Sequence, residues 1–479
     1  MTERAAAPTG FNARILGISL AAAMGGFLFG FDTSVINGAI DAMSTDFEIT
    51  GFLQGFTVSS ALLGCVAGAW FAGPIAARKG RIPVMVIASV LFLVSAVGSG
   101  LSVGPIDLIL WRVLGGLGVG AASVIAPAYI AEVSPANVRG RLGSLQQLAI
   151  VTGIFAALLS DAVLADTAGG AAEELWLGLE AWRWMFLAEA VPAILYGIFA
   201  MTIPESPRYL VDVGRVKEAA KVLSTYTGVK DTAAKVAEIR KSLAREQAES
   251  LSDLRGDRFG LKPIVWVGIL LAVFQQFVGI NVIFYYSTSL WRSVGFPEDQ
   301  ALLTSVITSV TNIVVTIVAI MLIDKVGRRP MLLTGSAGMA VTLGVMALAF
   351  SQSTLVDGEA QLPQPWGTVA LVAANGFVVF FGATWGPIMW VMLGEMFPNR
   401  IRATAISVAS AFNWLANFAI STTFPVLSGF SLTLAYGFYA AFALISFVFV
   451  LRRVPETKGR ELEDMGNEAY VKEAKVAAD

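Results

Sequence analysis

Apolar residues gather into twelve runs along the chain, near 15–40, 52–76, 82–103, 106–130, 142–164 and 184–203, then near 264–290, 301–323, 330–351, 366–394, 403–427 and 431–451. A helix needs about 20 such residues to cross the hydrocarbon of a bilayer, so the pattern predicts twelve membrane-spanning helices. Between the sixth and seventh runs lies a polar stretch from Ser206 to Lys262, mixed in sign and rich in Ala, Lys and Glu. Within it, Val216 to Tyr226 and Thr232 to Leu243 carry apolar residues at helical spacing, which predicts short linker helices rather than a loose tether. The expected division is a six-helix domain over 1–205, linker helices over 206–262, a second six-helix domain over 263–453 and a tail over 454–479.

The two sets of six repeat one another. Gly80-Arg81 follows the second run of the first half and Gly327-Arg328 that of the second. A glutamate precedes an arginine by the same spacing at the end of each fourth run, as Glu132 with Arg139 and Glu395 with Arg402. Pro204-Glu205-Ser206-Pro207-Arg208 closes the first half and Pro455-Glu456-Thr457-Lys458-Gly459 the second. Landmarks in one order at a nearly constant offset argue for duplication. Two similar lobes about an axis normal to the membrane suit a rocking carrier with its site at the midplane.

Charge between the runs alternates. One set of loops holds Arg78, Lys79 and Arg81, Arg139 and Arg141, Lys325, Arg328 and Arg329, Arg400 and Arg402, and Arg452 and Arg453. The other set holds Asp41, Asp46 and Glu48, then Asp161, Asp166, Glu173, Glu174 and Glu180, then Asp357 and Glu359. Basic loops stay on the cytoplasmic side, so both termini are expected there, in a multi-pass protein of the cell membrane (the inner membrane of a bacterium). The first residues carry Glu3, Arg4 and Arg14 without a cleavage pattern, and no signal peptide is expected.

Composition narrows the function. Only 14% of residues are charged and 56% are hydrophobic, against about 25% charged in soluble domains. No basic block suggests nucleic acid. The lone Cys65 excludes an intrachain disulfide, and the chain has no histidine. That removes the commonest metal ligand and the usual general base, so proton chemistry would fall to carboxylates. With no nucleotide loop, metal cluster or nucleophile–base pair, neither an enzyme nor a cofactor is expected.

The richest chemistry lies in Phe274-Gln275-Gln276-Phe277-Val278-Gly279-Ile280-Asn281-Val282-Ile283-Phe284-Tyr285-Tyr286, inside an apolar run. Amides are unfavourable in hydrocarbon unless partnered, so they should face a bundle interior or a wet cavity. Gly279 is where that helix should bend or break. Amides and phenols together suit a neutral polyhydroxylated solute, although polar side chains also serve as glue between membrane helices. Gln146, Gln147, Asn312, Asn413 and Asn417 add amides at similar depth, Trp390 and Trp414 add indoles, and Gly386-Pro387 should kink the tenth run. Asp32 lies deep in the first run, and Arg112 in the fourth is its natural partner. Burial favours the neutral carboxyl and a guanidinium favours the carboxylate, so Asp32 is placed to exchange a proton as its surroundings change. The glutamate–arginine pairs on the basic side are expected to form ion pairs between helix ends and close an inner gate when the carrier faces outward.

These pieces resemble the sugar porter branch of the major facilitator superfamily over nearly the whole chain. The matching residues are Gly30-Phe31-Asp32-Thr33, Arg112 with the glycines after it, Glu132 to Arg139, Pro204 to Arg208, Gln275 to Tyr286, Asp324 to Arg329, Gly386 to Trp390, Glu395 to Arg402, and Pro455 to Gly459. The resemblance implies an all-α polytopic fold with twelve transmembrane helices in two six-helix domains and a cytoplasmic helical linker. It further implies a proton-coupled monosaccharide symporter, most of all for D-glucose, acting as a monomer, with a proton as coupling ion. By the same resemblance Gln147, Gln275, Gln276, Asn281, Asn312, Trp390 and Asn413 contact sugar, and Asp32 with Arg112 couples the proton. Glu132, Arg139, Arg141, Glu205, Asp324, Arg328, Glu395, Arg402 and Glu456 serve the gate. A facilitative uniporter, a symporter for xylose, galactose or inositol, and a sugar receptor on the same scaffold are the alternatives. The sequence departs from the family pattern at Ala77, where an aspartate is usual, and Ile154 stands where some xylose carriers have a glutamine.

Overall fold

The apolar runs are helical in the structure, a computed structural model that describes residues 13–135, 139–226, 228–245, 251–256, 260–356, 359–398 and 401–458. The first half comprises α1 (Ala13–Ser34) continued by α2 (Ile36–Asp46), α3 (Gly51–Lys79), α4 (Arg81–Gly100), α5 (Pro105–Val133), α6 (Arg139–Ala168), and α7 (Ala181–Ala188) continued by α8 (Ala190–Thr202). A short hairpin, β1 (Glu174–Trp176) with β2 (Leu179–Glu180), caps one end. The linker folds as α9 (Pro207–Asp212), α10 (Val216–Thr225) and α11 (Thr232–Arg245), and Leu210, Val211, Ala219, Val222, Leu223 and Val236 form a small apolar core of their own.

The second half comprises α12 (Pro263–Phe277) continued by α13 (Ile280–Arg292), α14 (Glu298–Val326) and α15 (Arg328–Phe350). The hairpin β3 (Thr354–Val356) with β4 (Glu359–Gln361) follows, then α16 (Trp366–Phe380), α17 (Gly386–Met396), α18 (Arg402–Phe430) and α19 (Leu432–Arg453). Eleven of the resulting segments are long and apolar enough to cross a membrane. The twelfth, α18, has 29 residues; Asn413, Asn417, Ser421, Thr422 and Thr423 dilute its apolar character.

Four spans are broken: the sixth at Glu189 between α7 and α8, and three others beside polar clusters. The first breaks at Val35 between α1 and α2. The seventh breaks at Gly279, whose φ of 84° is left-handed and so favours glycine. A Cβ there would also stand 2.8 Å from the ring of Tyr439. The tenth carries a π turn, Phe381–Trp385, directly before Gly386 and Pro387. The kink expected from Gly-Pro is therefore built partly by a wider turn, a form common at functional sites.

Close packing within the first lobe rests on small residues. A Cβ at Gly116 would strike the Ala61 carbonyl oxygen, and one at Gly64 the Val113 carbonyl oxygen, so α3 and α5 touch backbone to backbone as small-residue interfaces allow. Gly116→Val is therefore expected to lower stability by about 1–3 kcal/mol or more, as overpacking does. Thermal unfolding in detergent should register this as a lower midpoint, whereas Gly437→Ala, where nothing lies within 4 Å, should leave it unmoved. Across the lobes α3 packs on α18, α6 on α14, and α2 on α13.

Candidate functional site

Where the lobes face each other they form a cavity of about 120 Å³. All seven residues expected to contact a solute line it: Gln147, Gln275, Gln276, Asn281, Asn312, Trp390 and Asn413. The first lobe adds Phe29, Thr33 and Ser34 from α1 and Ile154 from α6, and the second adds Tyr285 and Asn417. Phe29 and Trp414 meet across the lobes with ring centroids 5.4 Å apart.

The break at Gly279 explains how the amides converge. Gln275 and Gln276 end α12 while Asn281 opens α13, so a turn that would separate them on a continuous helix folds them together. Asn281 Nδ2 donates to Gln276 Oε1 at 2.6 Å, and Gln276 Nε2 donates to Asn413 Oδ1 at 3.1 Å and Gln275 Oε1 at 3.2 Å. Asn413 Nδ2 donates to the Ala272 carbonyl and to Gln275 Oε1, each at 2.9 Å. Gln275 Nε2 reaches the carbonyls of Trp385 at 3.2 Å and Gly386 at 3.3 Å, at the end of the π turn. Trp385 is itself pinned by its indole N–H to the Leu332 carbonyl and Ser336 Oγ. The amides thus arrive oriented, with their order set before any solute enters.

Asp32 and Arg112 meet as expected, but not in the cavity. Asp32 is 1% exposed, and Arg112 Nη1 lies 3.5 Å from its Oδ1 while donating to its backbone carbonyl at 2.9 Å. The cavity sees α1 through Phe29, Thr33 and Ser34 instead, so the charge pair stands behind the wall. A third charged group was missed in the sequence. Glu189, at the α7–α8 junction and 1% exposed, interacts electrostatically with both Arg112 and Asp32. Arg112 packs over the ring of Phe186 on the same element. A lone glutamate between Ala188 and Ala190, within the sixth run, was the available signal.

The pairing of Glu132 with Arg139 falls outside the described residues, and the glutamates expected at the gate have these partners. Glu132 accepts from Arg81 Nη2 at 2.7 Å and from Ser206 Oγ at 2.5 Å, while Glu205 accepts the N–H groups of Arg81 and Ile82 at the start of α4. The second lobe repeats the motif. Glu395 accepts from Arg328 Nη2 at 2.8 Å and Thr457 Oγ1 at 2.6 Å, and Glu456 accepts the N–H groups of Arg328 and Arg329. Each pairing lies within one lobe or ties it to the segment that closes it, so these bonds brace each lobe rather than tying the two together. Arg402 directs Nε and Nη2 to the Phe397 carbonyl. The side chains of Arg139, Arg141 and Asp324 lie outside the described residues, and Ala77 is exposed.

Among the described residues, these lobe-to-lobe bonds lie in the half nearer the β1–β2 hairpin. Asn37 Nδ2 donates to the Phe284 carbonyl at 2.8 Å and Ser287 Oγ at 2.9 Å, and Asn37 Oδ1 accepts from the Thr288 N–H at 3.1 Å and hydroxyl at 2.5 Å. Ser59 and Thr422 hydroxyls meet at 2.6 Å, and Arg292 pairs with Asp41 at 3.1 Å. Asp41 and Asp161, expected in loops, belong to α2 and α6, and Asp161 is fully buried. Both helices run past the apolar stretches that marked them.

Comparison with known proteins places the chain. A family profile described as sugar (and other) transporter matches residues 18–469. The glucose transport protein of Synechocystis sp. (strain ATCC 27184 / PCC 6803 / Kazusa) is 56% identical over 94% of this chain and 97% of its own. The D-xylose-proton symporter of Escherichia coli (strain K12) is 37% identical over 94% and 95%. The partially occluded inward-open conformation of the xylose transporter XylE from E. coli superposes with a TM-score of 0.80 at 34% identity, covering 94% of this chain and 100% of that one.

Proposed function

The chain belongs to the sugar transporter family, within the major facilitator superfamily, and from that premise we propose that it carries a monosaccharide, D-glucose first, together with a proton. The observation that carries this reading is the cavity itself, where hydrogen-bonding side chains of both lobes face one space. Amides offer donor and acceptor to each hydroxyl, and the rings of Trp390, Phe29 and Tyr285 offer flat faces to the C–H side of a sugar. Glucose is favoured over xylose by the glucose transport protein among the relatives and by Ile154, an apolar wall beside Gln147. A single chain supplies both halves of the site, so the monomer is the working unit.

The lobes over 1–205 and 263–453 rock about the cavity, with the linker and both termini on the cytoplasmic side. Sealing by Asn37 and by Ser59 with Thr422 in the hairpin half supports a state facing the cytoplasm. Asp32, Arg112 and Glu189 then form a buried cluster of two carboxyls and one guanidinium. A buried cluster is least unfavourable when neutral, and neutrality here requires one proton. Because α1 presents Asp32 to one side and Phe29, Thr33 and Ser34 to the other, proton occupancy and sugar occupancy act on the same helix.

Uptake into proteoliposomes across a panel of sugars, with and without a pH step, tests the proposal. Saturable glucose uptake stimulated by an acid exterior is expected; uptake indifferent to the pH step would make the chain a uniporter. Asn37→Ala removes the side chain that binds α2 to α13. At about 0.5–1.5 kcal/mol per hydrogen bond, it should shift the balance toward the outward-open state at least several-fold. Distances between spin labels on the hairpin ends of the two lobes would record that shift.

A further inference from the structure

Asp161 is a carboxyl that the transport cycle above does not use. It is 0% exposed. Its Oδ2 accepts the Gly38 N–H at 3.2 Å, and its Oδ1 has no partner. Gly38 lies in the first turn of α2, just past the break at Val35 that leaves N–H groups unmatched. A Cβ on Gly38 would press on the Asp161 carboxyl, so side chain and helix start are in close contact. The segment held in this way is the one that seals the hairpin half through Asn37 and Asp41.

Several charged groups on the elements around α6 are engaged elsewhere. On α2, Asp41 pairs with Arg292. At the start of α14, Glu298 accepts the Ala171 N–H. On α7, Arg183 pairs with Asp46 and Glu180, and Asp32 of α1 is held by Arg112 of α5. Glu174 of β1 is exposed. Among the described residues no cation bonds to Asp161. A carboxylate buried without a cation is strongly disfavoured, and a helix N-terminus offers less stabilisation than that desolvation removes.

We propose that Asp161 is a second proton-binding residue, a positioning group that holds α2 sealed when protonated and releases it when ionised. Resting on the transport reading, this adds to the coupling proton near Asp32 a second one that sets when the outer half opens. The neutral acid fits the dry seam between α6 and α2. Once α2 leaves α13 and water enters, the carboxylate is hydrated and its negative charge opposes reburial. The sealed state thus binds one proton more than the open state, so rising pH favours opening by up to ~tenfold per pH unit.

The test uses full-length protein in lipid nanodiscs, spin-labelled at Val103→Cys and Gln352→Cys, exposed sites beyond α4 and α15; Cys65 is buried and stays unlabelled. With Asp32→Asn in place to remove the first proton, the open fraction should still rise with pH. Adding Asp161→Asn should flatten that response, and Asp161→Ser serves in its place if the amide variant does not fold. A response of equal slope in both proteins, or none with Asp32→Asn alone, overturns the proposal. Glucose exchange by the wild-type protein, measured separately, isolates the transport reading: no exchange with the pH response intact would sink that reading and leave the latch standing.

Discussion

Asp32→Asn should abolish accumulation of sugar against its gradient while leaving sugar exchange in place. With one proton carried per sugar, a step of one pH unit stores about 1.4 kcal/mol and supports up to about tenfold accumulation; the variant should reach a ratio of one. The substitution preserves shape. Arg112 keeps its bond to the residue 32 carbonyl at 2.9 Å and its weaker one to the Val58 carbonyl at 3.5 Å, so the break after α1 retains its clamp. What changes is the charge count. With position 32 neutral, Glu189 and Arg112 already cancel, and the cluster has no need of a proton in either state. The cycle can then run with sugar alone. Sugar-induced alkalinisation outside the liposomes measures the difference directly; a signal equal to wild type would show that Asp32 does not couple.

Much of this architecture was legible in the chain because the bilayer imposes its own ruler. Hydrocarbon thickness fixes the length of each apolar run, and hydrocarbon penalises unpaired amides, so the twelve spans and the polar stretch around Gly279 stand out. The break at Gly279 was readable because glycine beside amides marks where a helix need not continue. The π turn before Gly386 was not, since nothing in Phe381 to Trp385 distinguishes it from an ordinary turn. Asp161 reads as a loop residue in the sequence because it lies near the end of an apolar run, where charge usually means water. Instead α6 carries it into the seam beside Gly38.

Partners far apart in the chain were the least accessible to sequence reasoning. Glu132 shares a motif with Arg139, yet the structure joins it to Arg81 and Ser206. The Pro-Glu-Ser and Pro-Glu-Thr segments that merely closed each half in the sequence turn out to cap α4 and α15 with Glu205 and Glu456. Carboxylates at helix N-termini satisfy N–H groups that have no intrahelical acceptor. The repeat at both lobes therefore preserves a bracing device, and the lobes are built to move as units. Movement is left to the seams, where α2 meets α13 and α3 meets α18.

Gln276→Ala should weaken glucose binding by more than 1 kcal/mol, at least fivefold in Kd. Gln276 stands at the centre of the amide cluster: it receives Asn281 at 2.6 Å and donates to Asn413 at 3.1 Å and Gln275 at 3.2 Å. Truncation removes the sugar contact proposed for it and also unseats two neighbours. Asn281 loses the acceptor that turns it inward, and Asn413 Oδ1 loses a donor. Asn413 Nδ2 keeps the Ala272 carbonyl and Gln275 Oε1, so part of the cluster survives and the fold should be spared. Each buried polar group left without a partner costs about 1–3 kcal/mol; water entering the half-open cavity recovers some of it, which sets the expectation near the lower end. Titration calorimetry with glucose on the purified protein measures the change, with the thermal unfolding midpoint as the check that structure is retained. Unaltered affinity would move the sugar away from the α12–α13 break, and with it the reason for that break.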